Sequence, residues 1–302
     1  MRPNVYVIVN AAAGPERAQD LRALLTQYFR AAGTQAEIQF ANAGADLERE
    51  VKRAIMRKPE TLVVGGGDGT LNATAPMLIG TGIALGILPL GTLNHFARDL
   101  RIPFGLEAAV KTIAAGHTMK VDVGTVNGRF FLNNCSLGLY PRTVKGREMQ
   151  RERLGRGKWP AFIWAGLAVL RRYPFLEVRL RINGSDLMRR TPFVFIGNNE
   201  YAMKGFRIGE RARLDGGQLS LYVANRTGRL GLLRLALRAL FGRLNQARDF
   251  DTAFSKSIKV ETRRSRLHVA TDGEIGIMAT PLSFRVLPAA LTVVVPSPRA
   301  AD

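Results

Sequence analysis

Three short stretches of this chain set a carboxylate among glycines: "VVGGGDGTLN" at 63–72, "ARLDGG" at 212–217 and "TDGE" at 271–274. In the first, an apolar run stops at Val64, glycines follow, and Thr70, Leu71 and Asn72 open a helix. A helix start of this kind presents unpaired backbone N–H groups at the positive end of the helix dipole, which receives phosphate. Glycine lets phosphate oxygens approach the backbone closely. Asp68 cannot bind an anion, but it can hold a Mg²⁺ ion or its waters beside one. The same residues also suit a tight strand-to-helix turn in which Asp68 is a cap. Taken alone, "LDGG" and "TDGE" are β-turn sequences. Two familiar phosphate loops are excluded. No Lys-Ser/Thr pair closes the first stretch, and Thr70 stands where a G-x-G-x-x-G fingerprint needs its last glycine.

These loops need elements to carry them. Residues 5–9, 61–64 and 83–88 are apolar, β-branched runs without alternation, the pattern of strands covered on both faces. Between them lie "PERAQDLRALLTQYFRAAG", with Pro15 near a helix start and Gly33 near its end, and the helical "ADLEREVKRAIM". That alternation predicts a doubly wound α/β layout. From about residue 120 the texture changes to short strand-like segments separated by turns, with "VNG" at 126–128 and "ING" at 182–184 as hairpin signals. The second half is expected to be mostly β, interrupted by helical stretches near 159–172 and 229–248.

With 302 residues the chain has room for two domains of ordinary size. Its 46% hydrophobic and 23% charged content is that of a globular protein rather than a disordered or fibrous one. The charge balance is unusual. Forty-four Lys and Arg against 24 Asp and Glu leave +20, a field that draws nucleic acid, anionic lipid surfaces or phosphorylated substrates. Cys135 is the single cysteine, so neither an internal disulfide nor a cysteine-based metal cluster can form, and a small buried residue is its expected role. The first apolar run is too short for a secretory signal, and "AFIWAGLAVL" at 161–170 falls well short of the roughly 20 residues a bilayer-spanning helix needs. The expectation is a cytoplasmic protein that meets a membrane only at its surface.

"GGGDGTLN", followed after one strand by "LPLGTLNHFARDL" at 88–100, closely resembles the catalytic domain of the diacylglycerol kinase-like lipid kinases, a family that includes sphingosine and ceramide kinases. The resemblance extends over nearly the whole chain. "NAAAG" at 10–14 is similar to the family's first nucleotide loop, "ARLDGG" to its metal segment and "TDGE" to its late acidic motif. It implies an α/β nucleotide-binding domain over 1–120 and a β-rich, β-sandwich-like lipid-substrate domain over 121–284. It also implies a return of 285–302 to the first domain and an active site in the cleft between the two.

The resemblance carries residue roles as well. Asn10, Gly14, Gly66, Gly67, Asp68, Gly69, Thr70, Thr92 and Asn94 would line the ATP site, with Asp68 near the phosphates and Mg²⁺. Asp215 with the carbonyls of Ala212 and Gly217 would hold a structural Mg²⁺, and Asp122 would join the metal-water network; oxygen ligands suit a hard cation. Asp272 or Glu274 would be the general base that takes the substrate hydroxyl proton, in a reaction that asks the protein mainly for positioning and charge neutralisation. The chain departs from the family pattern at His95, where many relatives carry an aspartate, and at Ala41 and Asn42, where relatives often carry a nucleotide-site threonine.

The resulting expectation is an ATP- and Mg²⁺-dependent lipid kinase acting on a hydroxyl such as that of diacylglycerol. Its partners would be that lipid and an anionic membrane surface, with no nucleic acid. Segment 142–174 supports membrane contact: seven basic residues precede an apolar stretch bearing Trp159 and Trp164, and Arg171 and Arg172 follow. A second segment, "GRLGLLRLALRALFGRLNQARDF", puts Arg234, Arg238 and Arg248 on one helical face. Both also read as packed helices with a solvated basic edge. Two alternatives stay open. A soluble kinase of the NAD kinase type shares a GGDG-type loop, although the paired "GTLN" motifs and "TDGE" favour the lipid family. A basic nucleic-acid-binding protein would be expected to carry a helix-turn-helix, zinc-finger or aromatic RNP signature, and the sequence has none. The identity of the acceptor lipid and the oligomeric state are written in no motif.

Overall fold

The computed structural model describes residues 5–11, 15–138, 175–204, 207–224 and 250–297. The chain divides into one unit of Met1–Val123 with Pro288–Asp302 and a second of Gly124–Leu287. The helical stretches expected near 159–172 and 229–248, and the basic segments that contain them, lie outside the described residues.

The first unit runs β1 (Val5–Asn10), α1 (Pro15–Ala31), β2 (Ala36–Ala41), α2 (Ala45–Arg57), β3 (Thr61–Gly66), α3 (Asp68–Leu78), β4 (Ala84–Pro89), α4 (His95–Asp99), α5 (Leu106–Ala115) and the start of β5 (Thr118–Val126). Its strands pair in parallel in the order β2-β1-β3-β4, and Val293 adds a parallel contact to Leu85 of β4. Val7, Ile8, Leu62, Val63, Leu85 and Ile87 are fully buried. Residues of alternate orientation are buried alike, which is why these strands carry no polar alternation. α1 packs against α5 and α2 against α3. Because β2 lies on one side of β1 and β3 on the other, the loops that follow β1 and β3 part at the carboxyl ends of the strands. Open α/β sheets leave their ligand crevice at such a switch point.

The second unit continues with β6 (Arg129–Phe131), β7 (Asn134–Gly138), β8 (Leu176–Ile182), β9 (Ser185–Thr191), β10 (Phe193–Asn198), β11 (Tyr201–Lys204) and β12 (Arg207–Arg211). It ends with β13 (Leu219–Ala224), β14 (Phe250–Ser255), β15 (Ser257–Thr262), β16 (Arg266–Thr271), β17 (Glu274–Ala279) and β18 (Leu282–Val294). One antiparallel sheet has the order β14-β13-β10-β7-β16-β17; a second set joins β18, β15, β8 and β9. Cys135, Leu137, Val178, Leu180, Val269 and Phe284, drawn from both sets, share one core. β8 alternates as a half-covered strand must, with Val178 and Leu180 buried and Arg179 and Arg181 outward. Asn127-Gly128 and Asn183-Gly184 turn their hairpins with φ of 48° and 83°, and of 50° and 80°, the positive pair a type I′ turn requires. An α/β first unit and a β-rich second one are the fold class expected from the residues. Among the described residues no helix is long and apolar enough to cross a membrane.

Candidate functional site

At the switch point of the first unit Asn10, the last residue of β1, donates from Nδ2 to Thr70 Oγ1 at 3.0 Å. Among the described residues its Oδ1 is buried without a partner, as are both amide atoms of Asn72 in α3. Orphaned polar atoms beside a glycine loop call for a ligand or water to complete them. No side chain caps α3. Its first helical bond runs from Leu71 N–H to Gly67 O at 3.1 Å, leaving the N–H groups of Asp68, Gly69 and Thr70 as the open donors of the helix start. Glycine is obligatory in two places. A Cβ on Gly66 would lie 2.5 Å from Thr70 Oγ1, and a Cβ on Gly91 would collide with the Cα of Gly67. The two glycine motifs therefore pack backbone to backbone.

Asp68 is a cap, but not of its own helix. Its Oδ2 accepts the His95 N–H at 3.1 Å and its Oδ1 the Phe96 N–H at 3.3 Å, so it closes the start of α4 in the second motif. Each carboxylate oxygen keeps a further lone pair for a metal or its water. Asn94, 3% exposed, uses its amide within its own loop: Oδ1 accepts the Gly91 N–H at 3.1 Å, and Nδ2 donates to Gly91 O at 2.7 Å and Pro89 O at 3.2 Å. It holds the shape of the motif. Thr92 and His95 are exposed, and Gly14 lies outside the described residues. The open N–H donors suit a phosphate, whereas the buried amide oxygens suit a hydroxyl or a water.

In the second unit "TDGE" forms the β16–β17 hairpin, with Asp272 and Gly273 at φ 48° and 88°. The turn reading is correct, and it also aims a side chain. Asp272 Oδ2 accepts the Leu132 N–H at 2.7 Å, while Oδ1 accepts those of Asn133 and Asn134 at 2.8 Å each. Burial pushes this carboxyl up to about 6, against the lowering effect of those three N–H donors and of Arg211. Oδ1 thus accepts two hydrogen bonds and Oδ2 one, so Oδ2 has the greater acceptor capacity left. Glu274 is exposed and paired with Arg129 at 2.6 Å. Asp272 and Glu274, two residues apart, occupy opposite electrostatic settings.

The remaining expected ligands divide between the units. Asp215 is exposed, with Oδ1 accepting from Arg213 Nε at 3.1 Å; next to it Gly216 N–H donates to Asn199 Oδ1 at 2.8 Å, and Gly217 turns the chain at φ 66°. The expected ligand set, the Asp215 carboxylate with the carbonyls of Ala212 and Gly217, has the oxygen chemistry that a hard cation such as Mg²⁺ takes. Among the described residues no group of three or more His, Cys, Asp or Glu could hold a metal, so an ion here would depend on carbonyls and water. Asp122, 2% exposed, accepts the Ala289 N–H at 2.9 Å within the first unit, where Ala289 has a φ of 52°. Cys135 is fully buried in the core of the second unit, and burial raises its thiol pKa. Asn72, Arg211 and the 132–134 segment were not singled out from sequence. Asn72 stands inside the first motif, where its amide was the available signal; Arg211 is one arginine among many in a chain of charge +20.

The diacylglycerol kinase catalytic domain family matches residues 4–126, and the YegS C-terminal NAD kinase β-sandwich-like domain family matches 143–295. The chain belongs to the diacylglycerol kinase family. This kinase is 27% identical over 300 residues to the diacylglycerol kinase of Bacillus subtilis, covering 97% of each chain. It is 29% identical over 234 residues to that of Staphylococcus carnosus, covering 75% of this chain and 74% of the relative. A diacylglycerol kinase crystal structure from Bacillus anthracis superposes with a TM-score of 0.71 at 26% identity over 97% of both chains. A second structure from that organism, with a TM-score of 0.74 at 23% identity over 98% of this chain and 99% of that one, shares the fold.

Proposed function

We propose that this kinase transfers the γ-phosphate of ATP to a hydroxyl of a membrane lipid such as diacylglycerol, as a cytoplasmic protein bound peripherally to an anionic membrane. The observation that carries the reading is Asp272: a carboxylate held by three backbone N–H groups, 2.7–2.8 Å away, with burial lifting its pKa to about 6. A general base works best with a pKa near the working pH, and phosphoryl transfer needs one to receive the attacking hydroxyl's proton. In this reading the lipid O–H gives its proton to Asp272 Oδ2, its oxygen forms the new bond to phosphorus, and ADP leaves. Asp272 is preferred to Glu274, which is exposed and charge-paired with Arg129.

The open N–H groups of residues 68–70, with the Oδ1 of Asn10 left without a partner among the described residues, support binding of the nucleotide in the first unit. Asp68 would hold Mg²⁺ at the phosphates, and Asp215 with the carbonyls of Ala212 and Gly217 a second, structural ion. When bound at the phosphates, Mg²⁺ would offset the charge that develops during transfer. The composition of segment 142–164 supports membrane docking, with Lys145, Arg147, Arg151 and Arg153 near the headgroups and Trp159 and Trp164 at the interface. Incubating the purified protein with γ-labelled ATP, Mg²⁺ and a fractionated lipid extract tests the proposal. Label appearing in a lipid with a free hydroxyl is the expected result; label appearing only in added NAD, or in neither, overturns it.

A further inference from the structure

Resting on the reading of the 212–217 bend as an ion site, we infer that Asn199 is a positioning residue for that bend, fixing the backbone of its two glycines before an ion arrives. Asn199 directly follows β10 and is 2% exposed. Its φ of 70° lies in the left-handed region, which asparagine tolerates better than most residues. It bonds to the bend and to the start of β13 at three points. Its Oδ1 accepts the Gly216 N–H at 2.8 Å, its backbone N–H donates to Gln218 O at 3.0 Å, and its carbonyl accepts the Ser220 hydroxyl at 2.6 Å.

Those points bracket Gly216 and Gly217. Glycine loses more conformational freedom on ordering than any other residue, and Gly217 sits at φ 66°. The Gly216 N–H belongs to the peptide group that follows Asp215, and Gln218 O to the one that precedes Leu219. Of the expected ligands, Asp215 therefore adjoins one peptide group that Asn199 holds, and the carbonyl of Gly217 lies between two of them. The contact is close, since a Cβ on Gly216 would lie 2.7 Å from Asn199 Oδ1. A bend set in advance spares a bound ion the cost of ordering it.

The amide of Asn199 also has an unmet need. With Oδ1 committed to the Gly216 N–H its orientation is fixed, and Nδ2 is left buried without a partner among the described residues. A buried N–H donor calls for an oxygen acceptor. Among the described residues no group of three or more His, Cys, Asp or Glu could hold a metal, so an ion at this bend would bring ordered water with it. Such a water would supply the acceptor that Nδ2 lacks and tie the ion's shell to the residue that shapes the bend. Asp215 now meets Arg213 Nε at 3.1 Å in an exposed pair, which an ion can displace at little cost.

The test reads melting temperature against Mg²⁺ concentration, without nucleotide, in wild type, Asp215→Asn, Asn199→Gly, Asn199→Asp and Gly216→Ala. Glycine accepts the left-handed backbone of residue 199 and removes only its side chain, so a loss in that variant is not backbone strain. Asn199→Gly is expected to displace the curve toward higher Mg²⁺ by about 10-fold, the scale on which a partner behind metal ligands acts. A merely structural residue would lower the melting temperature without Mg²⁺ and leave the curve where it is on the concentration axis. Asn199→Asp keeps an acceptor for the Gly216 N–H and should stay near wild type. Gly216→Ala, whose methyl displaces Asn199 Oδ1, should resemble Asn199→Gly and carries the test if that variant does not fold. A wild-type response that Asp215→Asn abolishes, with an undisplaced curve in the folded Asn199→Gly or Gly216→Ala variant, overturns the inference. A response that survives Asp215→Asn unchanged overturns instead the ion reading on which the inference rests.

Discussion

Asp68 Oδ2 lies 3.1 Å from the backbone nitrogen of His95, so the carboxylate of the first glycine motif caps the helix of the second, 27 residues on. The carboxylate is thus structural as well as a candidate metal ligand. Asp68→Ala should cost about 1 kcal/mol of stability, the usual effect of losing a helix cap. It should also lower turnover by about 10²-fold, the scale on which one contact to developing charge acts. Asp68→Asn, which keeps an acceptor oxygen, should recover most of the stability and little of the turnover. Urea unfolding and turnover at saturating Mg²⁺ check both; wild-type turnover in either variant removes Asp68 from the chemistry.

If Asp272 takes the substrate proton, its carboxyl should give turnover an acid limb. With its pKa raised from 3.8 to about 6, chiefly by burial, protonation fills the acceptor lone pair as pH falls through about 6, and turnover should fall with it. For folding, the raised value means that the folded chain holds the proton more tightly than the unfolded one. That contribution to stability is fully present below about 3.8 and is lost as pH rises through about 6. Asp272→Asn should abolish the acid limb and reduce turnover by about 10² or more. Its amide would also set an N–H donor against another among the three that now point at the carboxylate, at a cost of about 1–3 kcal/mol. Glu274→Gln, at an exposed ion pair, should change little. A severe loss confined to Glu274→Gln would move the base two residues along.

Gly91 and Gly105 offer a matched pair of substitutions. A Cβ at Gly91 runs into the Cα of Gly67, whereas one at Gly105 meets nothing within 4 Å and sits on ordinary negative φ. Gly91→Ala should force the two motif loops apart, destabilise the first unit by about 1–3 kcal/mol and weaken binding of a fluorescent ATP analogue. Gly105→Ala should leave both nearly unchanged. Equal affinity in the two variants would show that loop contact does not shape the nucleotide site.

The bend at 212–217 should make thermal stability depend on Mg²⁺. If Asp215 and its neighbouring carbonyls bind the ion in the folded chain only, the melting temperature should rise with Mg²⁺ concentration. Asp215→Asn should flatten that dependence. A melting curve that responds to Mg²⁺ equally in both proteins places the ion elsewhere.

Much of the scaffold was legible in the residues because its causes are local. β1, β3 and β4 are covered on both faces and so consist of unbroken apolar runs. Asn127-Gly128 and Asn183-Gly184 announce their hairpins because few other pairs accept two positive φ values. The glycine turn between β3 and α3 was recognisable for the same reason, since a helix start and its missing side chains are written within ten residues. The partners of the carboxylates were not. Asp68 as a cap was readable, but the helix it caps follows a different strand. Asp272 in a turn was readable, but its three donors come from residues 138–140 positions earlier, and Arg211, which anchors them, sits in a third strand. Sequence pattern fixes what a residue does to its own backbone and which way it faces. Burial and hydrogen-bond partners, which set a carboxylate's proton affinity and leave one oxygen open, depend on what the folded sheets bring beside it, and only the tertiary structure decides that.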